Sequence, residues 1–223
     1  MNVSYFFQFA DDAGVSDGVQ RAAGLLVSTA IFRRRVITGE LPMEVVGRGK
    51  TNLCSTAWKY MFNACRVPKK GADEYHLHDP SLHRHVAVVR RNQWFAVEFV
   101  DVHHNPLPVG VIEARLRDVV ARADARVTDA PGIGVCTGGE RDQWADDRGE
   151  VFKVHTGARE GVGIIETAAI VVCLDEVEKV SDGCVSEGLW HGGEGERGNR
   201  WFDKPVQVIV TDNGKAGILG EHR

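Results

Sequence analysis

A mixed α/β domain is the fold class this sequence predicts, and three observations predict it. Segments with apolar residues at helical spacing are intermixed along the chain with segments of period two. Two period-two pairs are joined by polar turns, the pattern of a β-hairpin. No linker, internal repeat or low-complexity tract divides the 223 residues, a length that suits one large domain or two small ones.

The elements follow in order. Val3 to Phe9 is aromatic and extended, and a polar loop with Asp17 and Gly18 leads to a helix over Val19–Ile37. There Ala22, Leu25, Leu26, Thr29 and Phe32 share a face, Arg33, Arg34 and Arg35 occupy the last turns, and Gly39 follows. A second helix is predicted over Thr51–Ala64 from Leu53, Ala57, Tyr60, Met61 and Ala64, with Pro68 as its stop. Lys69–Pro80 reads as a loop. Period two then sets in: His85–Val89 and Trp94–Val100 flank the turn Arg90-Arg91-Asn92-Gln93 as a first hairpin. Pro108–Ala123 carries Val109, Ile112, Leu116, Val119 and Val120 on one helical face. Ile133–Cys136 reads as a short strand, Glu140–Phe152 as a helix around Trp144, and Ile164–Thr167 as a helix end running into the strand Ala168–Leu174. Asp182–Trp190 reads as helical, and the glycines of His191–Asn199 as a loop. Asn199-Arg200-Trp201-Phe202-Asp203-Lys204-Pro205 mixes aromatics with both charges directly before a strand, as a buried ion-pair corner does. Val206–Thr211 and Ala216–Glu221 form a second hairpin around Asn213-Gly214.

Composition removes several classes of function. Hydrophobic residues at 43% and charged residues at 26% are those of a globular chain. Lys+Arg 27 against Asp+Glu 31 gives a net charge of -4, which disfavours nucleic acid or an anionic membrane surface as the main partner. The apolar run Ala168–Cys173 is far short of the roughly 20 residues of a membrane-spanning helix, and Met1–Asp12 has the pattern of neither a signal nor a transit peptide. Cys54, Cys65, Cys136, Cys173 and Cys184 form no CxxC pair, which points to a reducing compartment.

The residues that could carry chemistry compete with plain structural readings. His76, His78, His83, His85, His103 and His104 are enriched in one stretch but lack metal-ligand spacing, so surface or loop imidazoles near a hairpin are the better reading than a metal centre. Cys54 and Cys65, with Lys59 and Arg66 nearby, could be thiolate nucleophiles, against which stand their small apolar positions and the lack of a local histidine signature. Arg33–Arg35 suit a phosphate, or simply the negative end of a helix dipole. The run His191–Gly198 lacks the GK[ST] ending of a phosphate loop. His222, at a strand end after Glu221, suits a general base, because an imidazole accepts a proton near neutrality.

Residues Trp190-His191-Gly192-Gly193, Asn199 through Val210, Asp212-Asn213-Gly214 and Gly220-Glu221-His222 together resemble the choline/carnitine acyltransferase family, most closely its fungal-type carnitine O-acetyltransferases. Leu53 through Pro68, ending in Cys-Arg-Val-Pro, is similar to a second family segment; Gly134-Val135-Cys136-Thr137 with Arg141 and Trp144, and Val172-Cys173-Leu174-Asp175, follow in order. The resemblance covers essentially the whole chain. It implies the chloramphenicol-acetyltransferase-like α/β fold of CoA-dependent acyltransferases, with residues 1–223 forming most of the N-terminal domain of a two-domain enzyme. It implies reversible transfer of an acetyl or short acyl group between CoA and carnitine, with His222 as general base. Acetyl-CoA is then a substrate, and no cofactor or metal is expected. The resemblance places the CoA- and carnitine-binding residues in a C-terminal half, so these residues alone are expected to show no measurable transfer. A monomer, no nucleic-acid partner and a mitochondrial or peroxisomal setting are further expectations. Two non-enzymatic alternatives stand beside it: a binding module derived from the family, marked by exposed apolar surface, and a histidine-cluster metal protein.

Overall fold

In the computed structural model, which describes residues 3–48, 50–126, 132–176, 185–192 and 198–222, the described residues run through fifteen regular elements and two 3₁₀ turns. They are β1 (Val3–Gln8), α1 (Gly18–Ile37), β2 (Val45–Val46), β3 (Thr51–Asn52), a 3₁₀ turn (Ser55–Tyr60), β4 (Ala64–Val67), β5 (Glu74–Leu77), β6 (His85–Arg90), β7 (Gln93–Glu98), α2 (Val109–Asp124), a second 3₁₀ turn (Ile133–Gly138), α3 (Arg141–Val154), α4 (Ala158–Thr167), β8 (Val171–Asp175), α5 (Val185–His191), β9 (Val206–Thr211) and β10 (Ala216–His222).

Six strands make one sheet in the order β1-β10-β9-β8-β6-β7. β6, β8 and β9 are parallel neighbours, and the remaining pairings are antiparallel. This is the mixed α/β sheet with flanking helices that the sequence predicts. Strand alternation sorts the side chains into two cores. Val86, Val88, Val172, Leu174, Val208 and Val210 join Ala22, Leu26, Ile112 and Leu116 of α1 and α2 on one face. Ala87, Val89, Val171, Cys173 and Ile209 join Trp144, Val162, Ile165 and Trp201 on the other. Because β8 is covered on both faces, all five of its residues are buried, which is why it reads as an unbroken apolar run.

Local chemistry sets the boundaries. The Asp17 side chain accepts a hydrogen bond from the Gln20 amide at 2.8 Å and caps α1. The first hairpin turns on Arg91 and Asn92, with φ of 50° and 59°, the positive pair a two-residue turn needs. The second turns on Gly214 at φ 81°.

Three sequence expectations are corrected. The predicted helix over Thr51–Ala64 is instead β3, a 3₁₀ turn and the start of β4. Asn63 takes φ 52° and ends any helical run there. Its side chain is held by Arg33 and by the carbonyls of His83 and Thr167. The predicted loop Lys69–Pro80 contains β5, whose largely exposed residues pair with the fully buried β4, so backbone pairing rather than apolar content makes it a strand. The predicted strand Ile133–Cys136 is a 3₁₀ turn. Here the chain presses on Gly198–Arg200 so closely that a Cβ on Gly134 would lie 2.1 Å from the Arg200 carbonyl oxygen. Of the predicted helix Asp182–Trp190, Val185 onward is helical, while Asp182, Gly183 and Cys184 lie outside the described residues, as do Gly193–Arg197 of the glycine-rich loop.

Candidate functional site: an ion-pair corner beside His222

His222 is the last residue of β10, in register opposite Val3 of β1, and its side chain lies outside what is described. Its predecessor Glu221 is well placed. The Glu221 amide donates to the Pro205 carbonyl at 3.1 Å. Its carboxylate, 5% exposed, meets the Arg66 guanidinium at 2.7 Å.

Arg66 is the hub of the corner. Residing on β4, it pairs through Nε with Asp203 at 3.0 Å and with Asp73 at 3.4 Å, and its amide donates to the Asp203 carbonyl at 2.9 Å. Arg141 of α3 approaches the same two carboxylates at 2.8 Å each. The Trp144 indole Nε1–H donates to the other Asp203 oxygen at 2.8 Å. Burial pushes the Asp203 carboxyl above the ordinary carboxylate range, against the pull of Arg141, Arg66 and that indole.

Four of the segments on which the family resemblance rests meet here. Asp203 comes from the ion-pair corner predicted at Asn199–Pro205, and Arg66 from the Cys-Arg-Val-Pro segment. Thr137 accepts the Phe202 amide at 2.9 Å on its hydroxyl, next to Arg141 and Trp144. Glu221 brings β10. The Val172–Asp175 segment stands apart: Asp175, opposite Thr211 at the far end of β8, makes a buried pair with Arg200 at 2.7 Å. Lys204, fully buried, donates to the carbonyls of Glu166 and Ala168, and burial lowers its ammonium to about 8. An open cleft of about 460 Å³ adjoins the corner, lined by Tyr5, Ala57, Tyr60, Met61, Tyr75, Pro205, Val206 and Glu221.

The competing candidates fall elsewhere. Cys65 is fully buried and burial drives its thiol up, so it holds no thiolate. Cys54 is exposed, and the Thr56 hydroxyl lowers its thiol, but it lies in the 3₁₀ turn's cap with no histidine partnered to it among the described contacts. His76, His78, His83 and His85 form a row of edge-on rings 5.8 to 6.3 Å apart. Among the described residues no cluster of His, Cys, Asp and Glu converges to hold a metal ion. His76 pairs with Glu74, and His85 Nε2 donates to the Ile164 carbonyl. His78 is pushed down to about 4 by burial. His103 and His104 sit apart, by Asp101 and Arg33. Arg33 is no phosphate site: it is fully buried, its guanidinium spent on Asn63 and on the Pro80 and His83 carbonyls, and burial lowers it to about 10. Sequence reasoning missed Arg66 and Glu221 as functional candidates, since nothing local links residues so far apart.

Comparison with known proteins agrees with the resemblance. The family model described as Choline/Carnitine o-acyltransferase matches residues 1–223. The chain is 28% identical over 260 residues to a putative mitochondrial carnitine O-acetyltransferase of Saccharomyces cerevisiae, covering 100% of this chain and 38% of that protein. It is 29% identical over 219 residues to a choline O-acetyltransferase of Danio rerio, covering 94% and 34%. It is 30% identical over 210 residues to a carnitine O-acetyltransferase of Rattus norvegicus, covering 90% and 33%. The chain thus spans about a third of the length of the curated relatives it matches. No helix among the described residues is long and apolar enough to cross a membrane.

Proposed function

The chain belongs to the choline/carnitine O-acyltransferase family, and from that premise we propose that it carries the catalytic base of an acyl transfer between CoA and carnitine. His222 takes the proton of the carnitine hydroxyl as its oxygen attacks the thioester carbonyl carbon. The tetrahedral intermediate then expels the CoA thiolate, and the imidazolium returns the proton to that sulfur. No acyl-enzyme forms, so neither Cys54 nor Cys65 has a role, in keeping with the burial of Cys65.

The observation that carries this reading is the convergence of four family-like segments on the corner that holds Glu221, the residue before His222. The relatives include both carnitine and choline enzymes, and carnitine is preferred on the closer likeness of the Asn199–Val210 and Gly220–His222 segments to the carnitine type. A mitochondrial setting rests on the yeast relative's name alone.

Thiol release from acetyl-CoA in the presence of carnitine or choline tests the reading. Further substrate-binding residues are needed in this scheme, because positioning supplies much of the rate. Residues 1–223 alone are expected to release no measurable thiol. Grafted in place of the matching part of the yeast relative, they support carnitine-dependent release that His222→Ala abolishes. Release indifferent to His222→Ala overturns the base assignment; robust release by the 223 residues alone overturns the need for a second set of residues.

A further inference from the structure

β7 ends one side of the six-stranded sheet, and among the described residues no strand pairs with its outer edge. The turn at Arg91 and Asn92 makes Arg90 and Gln93 a hydrogen-bonded pair, and bonded pairs alternate from there. Gln93, Phe95 and Val97 therefore bond to β6, while the backbone groups of Trp94, Ala96 and Glu98 point outward. Two contacts agree with this alternation. The Ala87 amide, opposite Ala96, donates away from β7 to the Ile170 carbonyl at 3.1 Å, and the Glu98 carbonyl accepts from Arg115 Nη1 at 2.6 Å. Exposed edges are ordinarily blunted by a proline, a bulge, lysines or shortness. β7 keeps register over all six residues and reads Gln-Trp-Phe-Ala-Val-Glu, with none of these devices. Beside it runs an open cleft of about 720 Å³, with Trp94–Glu98 on one side and residues of α2 between Ala114 and Arg122 on the other. A strand edge open beside a helix is the arrangement to which an extended peptide adds as a further strand.

Charge says what kind of strand fits. In the cleft, Asp118 pairs with Arg122 at 3.4 Å, and the Glu98 carboxylate turns to Arg84 at 3.5 Å. Arg115 meets a backbone carbonyl, and no carboxylate pairs with it among the described residues. A second copy of the chain suits this edge poorly. Arg115 lies at the Glu98 end of β7, and Arg122 lies over the Phe95 ring at 5.1 Å. A two-fold axis at Ala96 would turn the Arg115 end of one α2 toward the Arg122 end of the other, cation against cation. We propose that the β7 edge and its cleft are a docking site for an extended segment of another protein, with apolar side chains at alternate positions and a carboxylate for Arg115. Its backbone bonds the outward groups of Trp94, Ala96 and Glu98. Its apolar side chains fall on the α2 side, in line with Phe95 and Val97, over Ala114 and Val119. The site lies at the opposite end of the sheet from β1 and β10 and does not depend on the reading of His222.

The test titrates the 223-residue chain with the capped peptide Glu-Thr-Val-Thr-Val-Thr-Glu, which reads the same in either strand direction, and follows amide exchange by NMR. In the free chain the amides of Trp94, Ala96 and Glu98 are expected to exchange faster than those of Phe95 and Val97, and the peptide to slow all three. The same peptide with glutamine for glutamate is expected to bind about two- to fivefold more weakly, the worth of an exposed ion pair. Arg115→Gln, a change at a half-open helix surface, erases that preference. Ala96→Pro removes only the outward amide at that position and abolishes binding; where it fails to fold, Arg115→Gln and the exchange pattern still report. Unchanged exchange and chemical shifts at about 2 mM peptide overturn the proposal, as does protection that appears on β1, the other edge of the sheet. Equal affinity of the parent for the two peptides overturns the acidic partner class. Protection of the three amides that grows with protein concentration in the absence of peptide shows a second copy on the edge and overturns the assignment to another protein.

Discussion

Replacing the indole of Trp144 tests whether the corner beside His222 is held by directed contacts or by packing alone. Trp144 is 1% exposed, and its Nε1–H donates at 2.8 Å to Asp203 Oδ2, while Arg66 and Arg141 meet Oδ1 at 3.0 and 2.8 Å. Trp144→Phe leaves that oxygen without its donor, at a cost of about 1.5–3 kcal/mol for a hydrogen bond to a charged group. The smaller ring also forgoes roughly 1 kcal/mol of buried apolar area, and its edge contact with Trp201, 6.0 Å away, is weakened. The sum is about 2.5–4 kcal/mol, a large share of the 5–15 kcal/mol typical of a domain. Urea unfolding followed by far-UV circular dichroism measures it as a lower midpoint at unchanged slope. Benzothienylalanine at position 144 keeps the shape and drops only the N–H, and should retain about 1.5–3 kcal/mol of the loss. A Trp144→Phe cost under about 1 kcal/mol, or an isostere as stable as the parent, refutes the reasoning.

Three further outcomes follow. His78 titrates at about 4 in the folded chain against an ordinary 6.5, and burial also lowers His85 and His104. The unfolded chain therefore takes up protons first as pH falls, and stability is full above pH 6.5 and declines toward pH 4, a decline that His78→Phe should lessen in a pH series of urea midpoints. Asp175→Leu leaves Arg200, fully buried, without its carboxylate and should cost about 3–5 kcal/mol, where a loss under 1 would show the pair to be dispensable. Gly134→Ala drives a methyl against the Arg200 and Gly198 carbonyls and should yield little soluble protein at 37 °C; ordinary expression with parental circular dichroism would contradict the close approach.

Much of the fold was legible because period carries burial. α1 and α2 show one apolar stripe each, and β6, β8 and β9 show the alternation or unbroken run that two covered faces require. The stretch Thr51–Ala64 misled because Leu53, Ala57, Tyr60, Met61 and Ala64 fall by chance at helical spacing, while the deciding features, the left-handed Asn63 and the pairing of β4 with β5, come from contacts to residues 33, 83 and 167. β5 was invisible because a two-stranded edge needs no apolar content of its own. At the site, the Asn199–Pro205 corner announced itself by its charge and aromatic density, and His222 by resemblance. Arg66 and Glu221 carried no local signal: what joins them is a contact across 155 positions of sequence.

Lys204 has a consequence for chemical durability. An amine whose proton is lost near pH 8 is largely unprotonated in the alkaline range where thioesters acylate lysines without any catalyst. Its position just ahead of β9, 1% exposed and with its Nζ turned to two carbonyl oxygens, keeps that nucleophile out of solution. An amine this ready to lose its proton is thus kept from acylating agents in solution for as long as the chain stays folded.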